Sequence, residues 1–131
     1  MGILSEIAPN MNPDPRLDKG IEEFNRGLFF ECHETLEEVW LEDHGEDRLF
    51  YQGIIQIAAG YYKLQQGVLI GAIKLWRTGL EKLEPYGSAH LGVDLASLVE
   101  PTKENLARAE AAEGQGVAAE LCAPQILRAG A

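Results

Sequence analysis

The chain has 131 residues, an apolar fraction of 46% and a formal net charge of −10 at pH 7. That length supports one hydrophobic core and hence one domain over 1–131, and no run approaches the roughly 18 apolar residues that a membrane span needs. The acidity argues against a protein that works by neutralising phosphates, so neither nucleic acid nor an anionic membrane surface is an expected partner.

The elements read in chain order as consecutive helices. Asp14-Pro15 is a helix start, a capping acid followed by proline in the first turn. Leu17, Ile21 and Phe24 recur at helical spacing, and Gly27 stops that run. A second helix covers about residues 28–43 and ends at Gly45. The third runs from about Asp47 to Gln66, with Gly67 beyond it. It is apolar almost all round: Phe50, Tyr51, Ile54, Ile55, Ile57, Ala58, Tyr61, Tyr62 and Leu64 leave only a narrow polar seam of Arg48, Gln52, Gln56 and Lys63. Such a helix belongs at the centre of a bundle. Gly53 and Gly60 in it, and Gly71 and Gly79 in the next, cost helix propensity. Close approach of neighbouring helices is the expected return. The fourth helix spans about Val68 to Pro85 on a stripe of Leu69, Ile73, Trp76, Leu80 and Leu83. Asp94 caps a fifth that carries Leu95, Leu98 and Val99, with Pro101 expected to kink or restart it before Leu106. After Ala112 the pattern dissolves. The core is therefore expected over 14–112, with 113–131 a loosely structured tail that can lie across the bundle. No strand-length alternation, internal repeat or low-complexity tract is present. The expected fold is all-α, a compact bundle of about five helices with a hydrophobic third helix at its centre.

Met1 to Asn10 lacks a basic segment followed by a long apolar core, so no signal peptide is expected and cytoplasmic residence follows. Cys32 and Cys122 are then expected to be free thiols.

The most informative stretch is Phe29-Phe30-Glu31-Cys32-His33-Glu34-Thr35-Leu36-Glu37-Glu38-Val39-Trp40. With His33 set at zero and about 100° per residue, Glu37 lies near +40°, Trp40 near −20°, Phe29 near −40°, Leu36 near −60° and Phe30 near +60°. Glu34, Glu38, Glu31 and Glu42 fall about 100–180° away. The expected picture is an acidic outer face and an aromatic inner face with His33 and Glu37 at its centre. Burying such a pair costs several kcal/mol unless its hydrogen bonds are met. Gln52 and Gln56 either meet water or point at His33 and Glu37 and meet that need.

Histidine and glutamate at i and i+4 can hold one metal ion between them. The segment is one residue away from the His-Glu-x-x-His zinc helix, with Glu37 in place of the second histidine and no third ligand evident. A di-iron carboxylate bundle needs two Glu-x-x-His pairs, and Phe30 stands where the glutamate before His33 belongs. Cys32 lies about 100° round the helix from His33, so a cysteine–histidine nucleophile is excluded and Cys32 reads as a core thiol. Trp40 and Trp76 read as core anchors. Glycine-rich phosphate loops are absent.

His33, Glu37 and Trp40 fit a His-x-x-x-Glu-x-x-Trp signature, and on it the chain resembles a bacterial and archaeal family known as domain of unknown function 309. The likeness extends through Phe24-Asn25-Arg26-Gly27-Leu28-Phe29-Phe30 and Gln52-Gly53-Ile54-Ile55-Gln56 to Leu80, roughly residues 17 to 87. The resemblance implies an all-helical bundle and a metal role for His33 and Glu37. It also marks a departure: several relatives carry a histidine near the end of the third helix, where this chain has Tyr61-Tyr62-Lys63.

The functional expectation is a polar pocket around His33 and Glu37, with Trp40 as its wall and Gln52, Gln56 and Arg48 around it. Its ligand would be a divalent metal or a small molecule. The competing reading is a non-enzymatic helical module, structural or self-associating into a homo-oligomer, in which the His33–Glu37 pair only fixes packing.

Overall fold

Asp14 opens the first helix as its sequence demands: its carboxylate accepts from the Arg16 backbone N–H at 2.9 Å, with Pro15 in the first turn. The computed structural model describes residues 14–116 and 120–129. Over these the chain forms five α-helices: α1 (Pro15–Asn25), α2 (Phe29–Glu42), α3 (Arg48–Gln65), α4 (Leu69–Leu83) and α5 (Leu95–Gln115). Gly27 and Gly67 adopt positive φ of 78° and 79°, just past the ends of α1 and α3, where a side chain would be strained. A 3-10 turn (Glu84–Tyr86) leads from α4 into β1 (Ala89–His90) and β2 (Val93–Asp94). With β3 (Leu127–Arg128) these make an antiparallel sheet in the order β1-β2-β3, pairing Ala89 with Asp94 and Asp94 with Leu127. Two-residue strands carry no alternating pattern, which is why the sequence gives no strand signal.

Each helix packs on the next, and α3 is the centre of the stack. Nine of its residues are buried, among them Phe50, Ile54, Ile57, Ala58 and Tyr61. It faces α2 on one side and α4 on the other, and Tyr61 reaches α1 through Phe24 and α5 through Thr102. The glycines explain how α4 comes so near. A Cβ on Gly60 would stand 2.5 Å from the Trp76 ring, and one on Gly79 would stand 2.9 Å from the Gly53 carbonyl oxygen. Gly71 is different: a Cβ there would meet only the Lys63 and Val68 side chains at 3.3 Å.

Arg16 ties α1 to α2 by bridging Asp14 and Glu42 at 2.8 and 2.7 Å. Its guanidinium holds both carboxyls below their ordinary range. Arg77 pairs with Glu110 between α4 and α5. Asp94 caps α5 as expected, accepting from the Ser97 N–H. Pro101 neither ends nor restarts that helix, which runs on to Gln115.

The segment 120–129, expected to be loose, is tied to the bundle. The Asn25 side chain accepts from the Ile126 N–H at 2.7 Å and donates to the Ile126 carbonyl at 3.0 Å. Gln125 donates to the Asn25 carbonyl, Asn105 donates to the Cys122 carbonyl, and Ile126 is buried. The tie is made by side-chain amides across 17 residues at Asn105 and 100–101 at Asn25, which no local pattern announces.

The α3–α4 contact generates a paired test. Gly60→Ala forces a methyl into the Trp76 ring and is expected to cost about 1–3 kcal/mol in denaturant unfolding. Gly114→Ala, at a helical position with nothing within 4 Å, is expected to be neutral or to gain up to about 1 kcal/mol. Equal responses would mean that α3 and α4 are not in contact there.

Candidate functional site

The inner face of α2 is rotated from the expected one. Its buried residues are Phe29, Cys32, Thr35, Leu36 and Val39. They centre about 100° from His33. Phe30 (43% exposed), expected on the inner face, is on the surface, and so is Leu41 (59%). Apolar side chains cover more than half of this helix, so hydrophobicity alone does not fix its centre. Thr35 is buried there despite its hydroxyl, and Leu36 packs beside Gly20 of α1. His33 and Glu37 therefore flank the core and are only partly buried, their side chains 30% and 46% exposed. The expectation of a deeply buried pair is corrected on this point.

The pair does meet. His33 Nε2 and Glu37 Oε2 are 3.6 Å apart, too far for a hydrogen bond. The Phe30 ring stacks on His33 with centroids 6.1 Å apart and leans on Tyr62 of α3 at 5.4 Å. At the other end of α2, the Arg48 guanidinium lies 4.2 Å from the centroid of the Trp40 ring. These two contacts fix an antiparallel register, Phe30 against Tyr62 and Trp40 against Arg48. The stretch of α3 holding Gln52 and Gln56 must then run beside His33 and Glu37. Neither glutamine hydrogen-bonds to the pair among the described residues, and both are half-buried.

Arg48 has a definite task. Its Nη1 donates to the carbonyls of Trp40 and Asp43, both at 3.0 Å, and contacts His44 Nδ1 at 3.3 Å. A cation on the last carbonyls of α2 satisfies acceptors that the helix itself leaves open, and it complements the helix dipole. Trp40 is thus a half-buried platform beneath that cation, not the enclosed core anchor expected of it.

Three polar atoms on this seam are buried and find no hydrogen-bond partner among the described residues: His33 Nδ1, Trp40 Nε1 and Gln56 Oε1. Trp40 Nε1 can only donate and Gln56 Oε1 can only accept, while His33 Nδ1 can do either according to its tautomer. Such atoms cost about 1–3 kcal/mol each when left unmatched.

The metal reading can be tested on the same geometry. Two ligand atoms on one tetrahedral zinc, each about 2.1 Å from it, stand about 3.4 Å apart. The separation of His33 Nε2 from Glu37 Oε2 is close to that. The donor set is short, however: no group of three His, Cys, Asp or Glu side chains able to share an ion exists among the described residues. A ligating histidine also usually donates its other ring N–H to a carbonyl or carboxylate, and His33 Nδ1 has no such partner. The pair supplies two donors at such a spacing and no more.

The tightest histidine–carboxylate contact is one the sequence does not announce. His90 Nε2 lies 2.7 Å from Asp47 Oδ1, with the Tyr86 and Phe50 rings against the imidazole at 4.6 and 4.9 Å. Tyr86 also donates to the Glu46 carbonyl at 2.5 Å. Asp47 spends its carboxylate here rather than as a cap, since its side chain makes no capping bond to α3. The cluster clamps the β1–β2 hairpin to the start of α3. Forty-three residues separate its partners, so spacing offers no signal.

Cys32 is fully buried, and burial, aided by the nearby Glu23 charge, pushes its thiol up to about 12. Burial likewise pushes Tyr51 up to about 12, with the Asp47 charge adding to it. Neither is a nucleophile or a proton donor near neutral pH.

Residues 17–75 match the family model DUF309, a domain of unknown function. The DUF309 match spans α1, α2, α3 and the first half of α4, and so contains the whole seam. Over residues 17–75 the chain is thus similar to that family. The chain is also 33% identical over 93 residues to the uncharacterized protein YpuF of Bacillus subtilis (strain 168), across 69% of this chain and 53% of the relative. It spans about half the length of that relative. No described helix is long and apolar enough to cross a membrane.

The thiols give a direct check of how α2 is turned. Cys32 stays protonated at every pH below about 12, and it is buried while Cys122 is exposed. Iodoacetamide at pH 8 is expected to alkylate one cysteine in the folded protein and both in denaturant, read by mass. Rapid native labelling of Cys32 would return His33 to the centre of the buried face.

Proposed function

We propose that the α2–α3 seam is a small polar binding pocket. In it Trp40 Nε1 and Gln56 Oε1 offer a donor and an acceptor to a bound molecule, and His33 with Glu37 forms the mouth. The single observation that carries this reading is the set of buried, unmatched polar atoms at His33, Trp40 and Gln56. A folded protein seldom leaves such groups unmatched, and functional sites are where the exceptions collect. A divalent cation is one ligand of the mouth. His33 Nε2 and Glu37 Oε2 supply two donors, so the ion is held only together with oxygen atoms from outside the chain. There it would act as a Lewis acid on that outside ligand. Without metal, the same two groups are an imidazole and a carboxylate side by side, each able to pass a proton to or from a bound molecule.

A second reading is favoured by a different observation. Phe30, Leu41 and Leu49 are 43%, 59% and 47% exposed. Large apolar side chains at the surface support a self-associating helical module in which His33 and Glu37 only set packing.

Two measurements separate these readings. Zinc, manganese, nickel or iron at concentrations above its dissociation constant is expected to raise the melting temperature, because a ligand bound only by the folded state stabilises it. His33→Ala is expected to remove that rise, and a null result with all four metals would reject the cation. Glu37→Gln is expected to leave stability level or slightly higher, as neutralising a functional carboxylate often does. Glu38→Gln, at an exposed position, is expected to change stability by less than about 0.5 kcal/mol. A fall of about 1–3 kcal/mol for Glu37→Gln alone would make the pair structural and favour the packing module.

A further inference from the structure

A concavity lies away from the seam, between the end of α4 and the start of α5. It has a volume of about 330 Å³ and is lined by the 80–88 and 96–103 stretches. Its apolar surface comes from Leu80, Ala96 and Val99, with the buried Leu83 behind them, and its charged surface from Glu81, Glu84, Glu100 and Lys103. Lys103 lies 3.6 Å from Glu100, so one cation stands among three carboxylates and the lining keeps a net negative charge. Glu81 and Glu84 have no cationic partner among the described residues. The carboxyl end of α4, the negative pole of that helix, points the same way. The positive pole of α5 is closed by its Asp94 cap. The cleft thus joins an apolar surface to two uncompensated carboxylates, in a chain of net charge −10 that concentrates cations around itself.

We propose that this cleft binds an organic ammonium ion with an apolar body. The body lies on Leu80, Ala96 and Val99, and the ammonium group meets Glu81 and Glu84. A bare metal ion fits poorly, since half the wall is hydrocarbon and the group of three ligating side chains it needs is absent among the described residues. An organic anion would face both carboxylates, and a neutral apolar molecule would leave their charge unmatched. The volume is at the lower end of small-molecule sites, suited to one ring or a short chain bearing a single charge.

The test uses phenethylammonium chloride as the probe and hydrocinnamate, of similar shape and opposite charge, as its counterpart. Amide shifts of the full chain are followed at pH 7 and low ionic strength. Phenethylammonium is expected to give saturable shifts confined to residues 80–88 and 96–103, and hydrocinnamate none. Glu81→Gln with Glu84→Gln is expected to weaken the ammonium about ten-fold, the equivalent of two modest charge contacts at a surface. Both glutamates are exposed, so that variant is expected to melt like the parent. Val99→Trp, which fills the cleft, is expected to abolish the shifts, and the double glutamine variant stands alone as the check if it misfolds. The proposal is overturned by linear, unsaturable shifts, by equal binding of the two probes, by no loss in the double variant, or by shifts centred on His33 and Gln56 instead.

Discussion

The structure depends on one buried hydroxyl. Tyr61 sits at the middle of the bundle, 1% exposed, where its ring touches Phe24, Phe29 and Trp76. A phenol there must find partners or cost more than its ring gains. It finds them on α5: Thr102 Oγ1 at 2.8 Å and Asn105 Nδ2 at 2.9 Å. Asn105 also donates to the Cys122 carbonyl, so one hydroxyl aligns α3 with α5 and α5 with the returning chain. The aromatic contacts bring in α1, α2 and α4. Burial lifts the Tyr61 proton affinity, opposed by these two hydrogen bonds. The group therefore stays neutral and keeps its donor and acceptor roles across the whole physiological range. A bundle held together only by apolar contact slides more easily; a satisfied polar node at the centre fixes which helix faces which.

That node fixes the candidate site indirectly. With Tyr61 turned toward α5, the polar seam of α3 is turned to the opposite side, beside α2. The seam can close only where α2 presents something compatible with partial hydration, and it presents the His33–Glu37 flank. The centre of the α2 face, Cys32 with Leu36, goes to α1 and the core. There the Leu36 side chain fills the space beside Gly20 so closely that a Cβ would stand 2.7 Å from it. His33 and Glu37 are thus semi-exposed because Gly20, Leu36 and Tyr61 claim the deep positions first.

Much of this was legible from residues alone, for identifiable reasons. Helix starts and stops were readable because Asp14, Gly27, Gly67 and Asp94 act through local backbone chemistry. The centrality of α3 was readable because a helix apolar nearly all round has nowhere else to go. The rotation of α2 was not readable, because Phe30 and Leu41 carry the hydrophobicity of core residues without its burial, whereas Thr35 is buried despite its hydroxyl. The Asp47–His90 clamp and the Asn25–Ile126 tie escaped for one common reason. Both join residues far apart in sequence through single side chains, and neither produces a period. Within the seam, the sequence brought His33, Glu37, Trp40, Gln52, Gln56 and Arg48 together by face and register. It did not foresee that Arg48 would be committed to the carbonyls of α2 rather than to the pocket.

Unmatched buried polar atoms are not all alike, and the contrast gives the seam its weight. Trp76 Nε1 is also buried without a partner. Its pyrrole edge, however, lies against the α-carbon of Gly60, where even one added methyl would clash at 2.5 Å. No ligand can enter there, so that lost hydrogen bond is the cost of packing α4 on α3, offset by one of the largest fully buried side chains in the core. The seam has no such offset. His33 and Trp40 are half-exposed side chains whose polar atoms happen to be the buried part, and Gln56 is half-buried with its carbonyl oxygen turned inward. These three unmatched atoms are what supports the proposal of a bound partner that supplies the missing donor and acceptor.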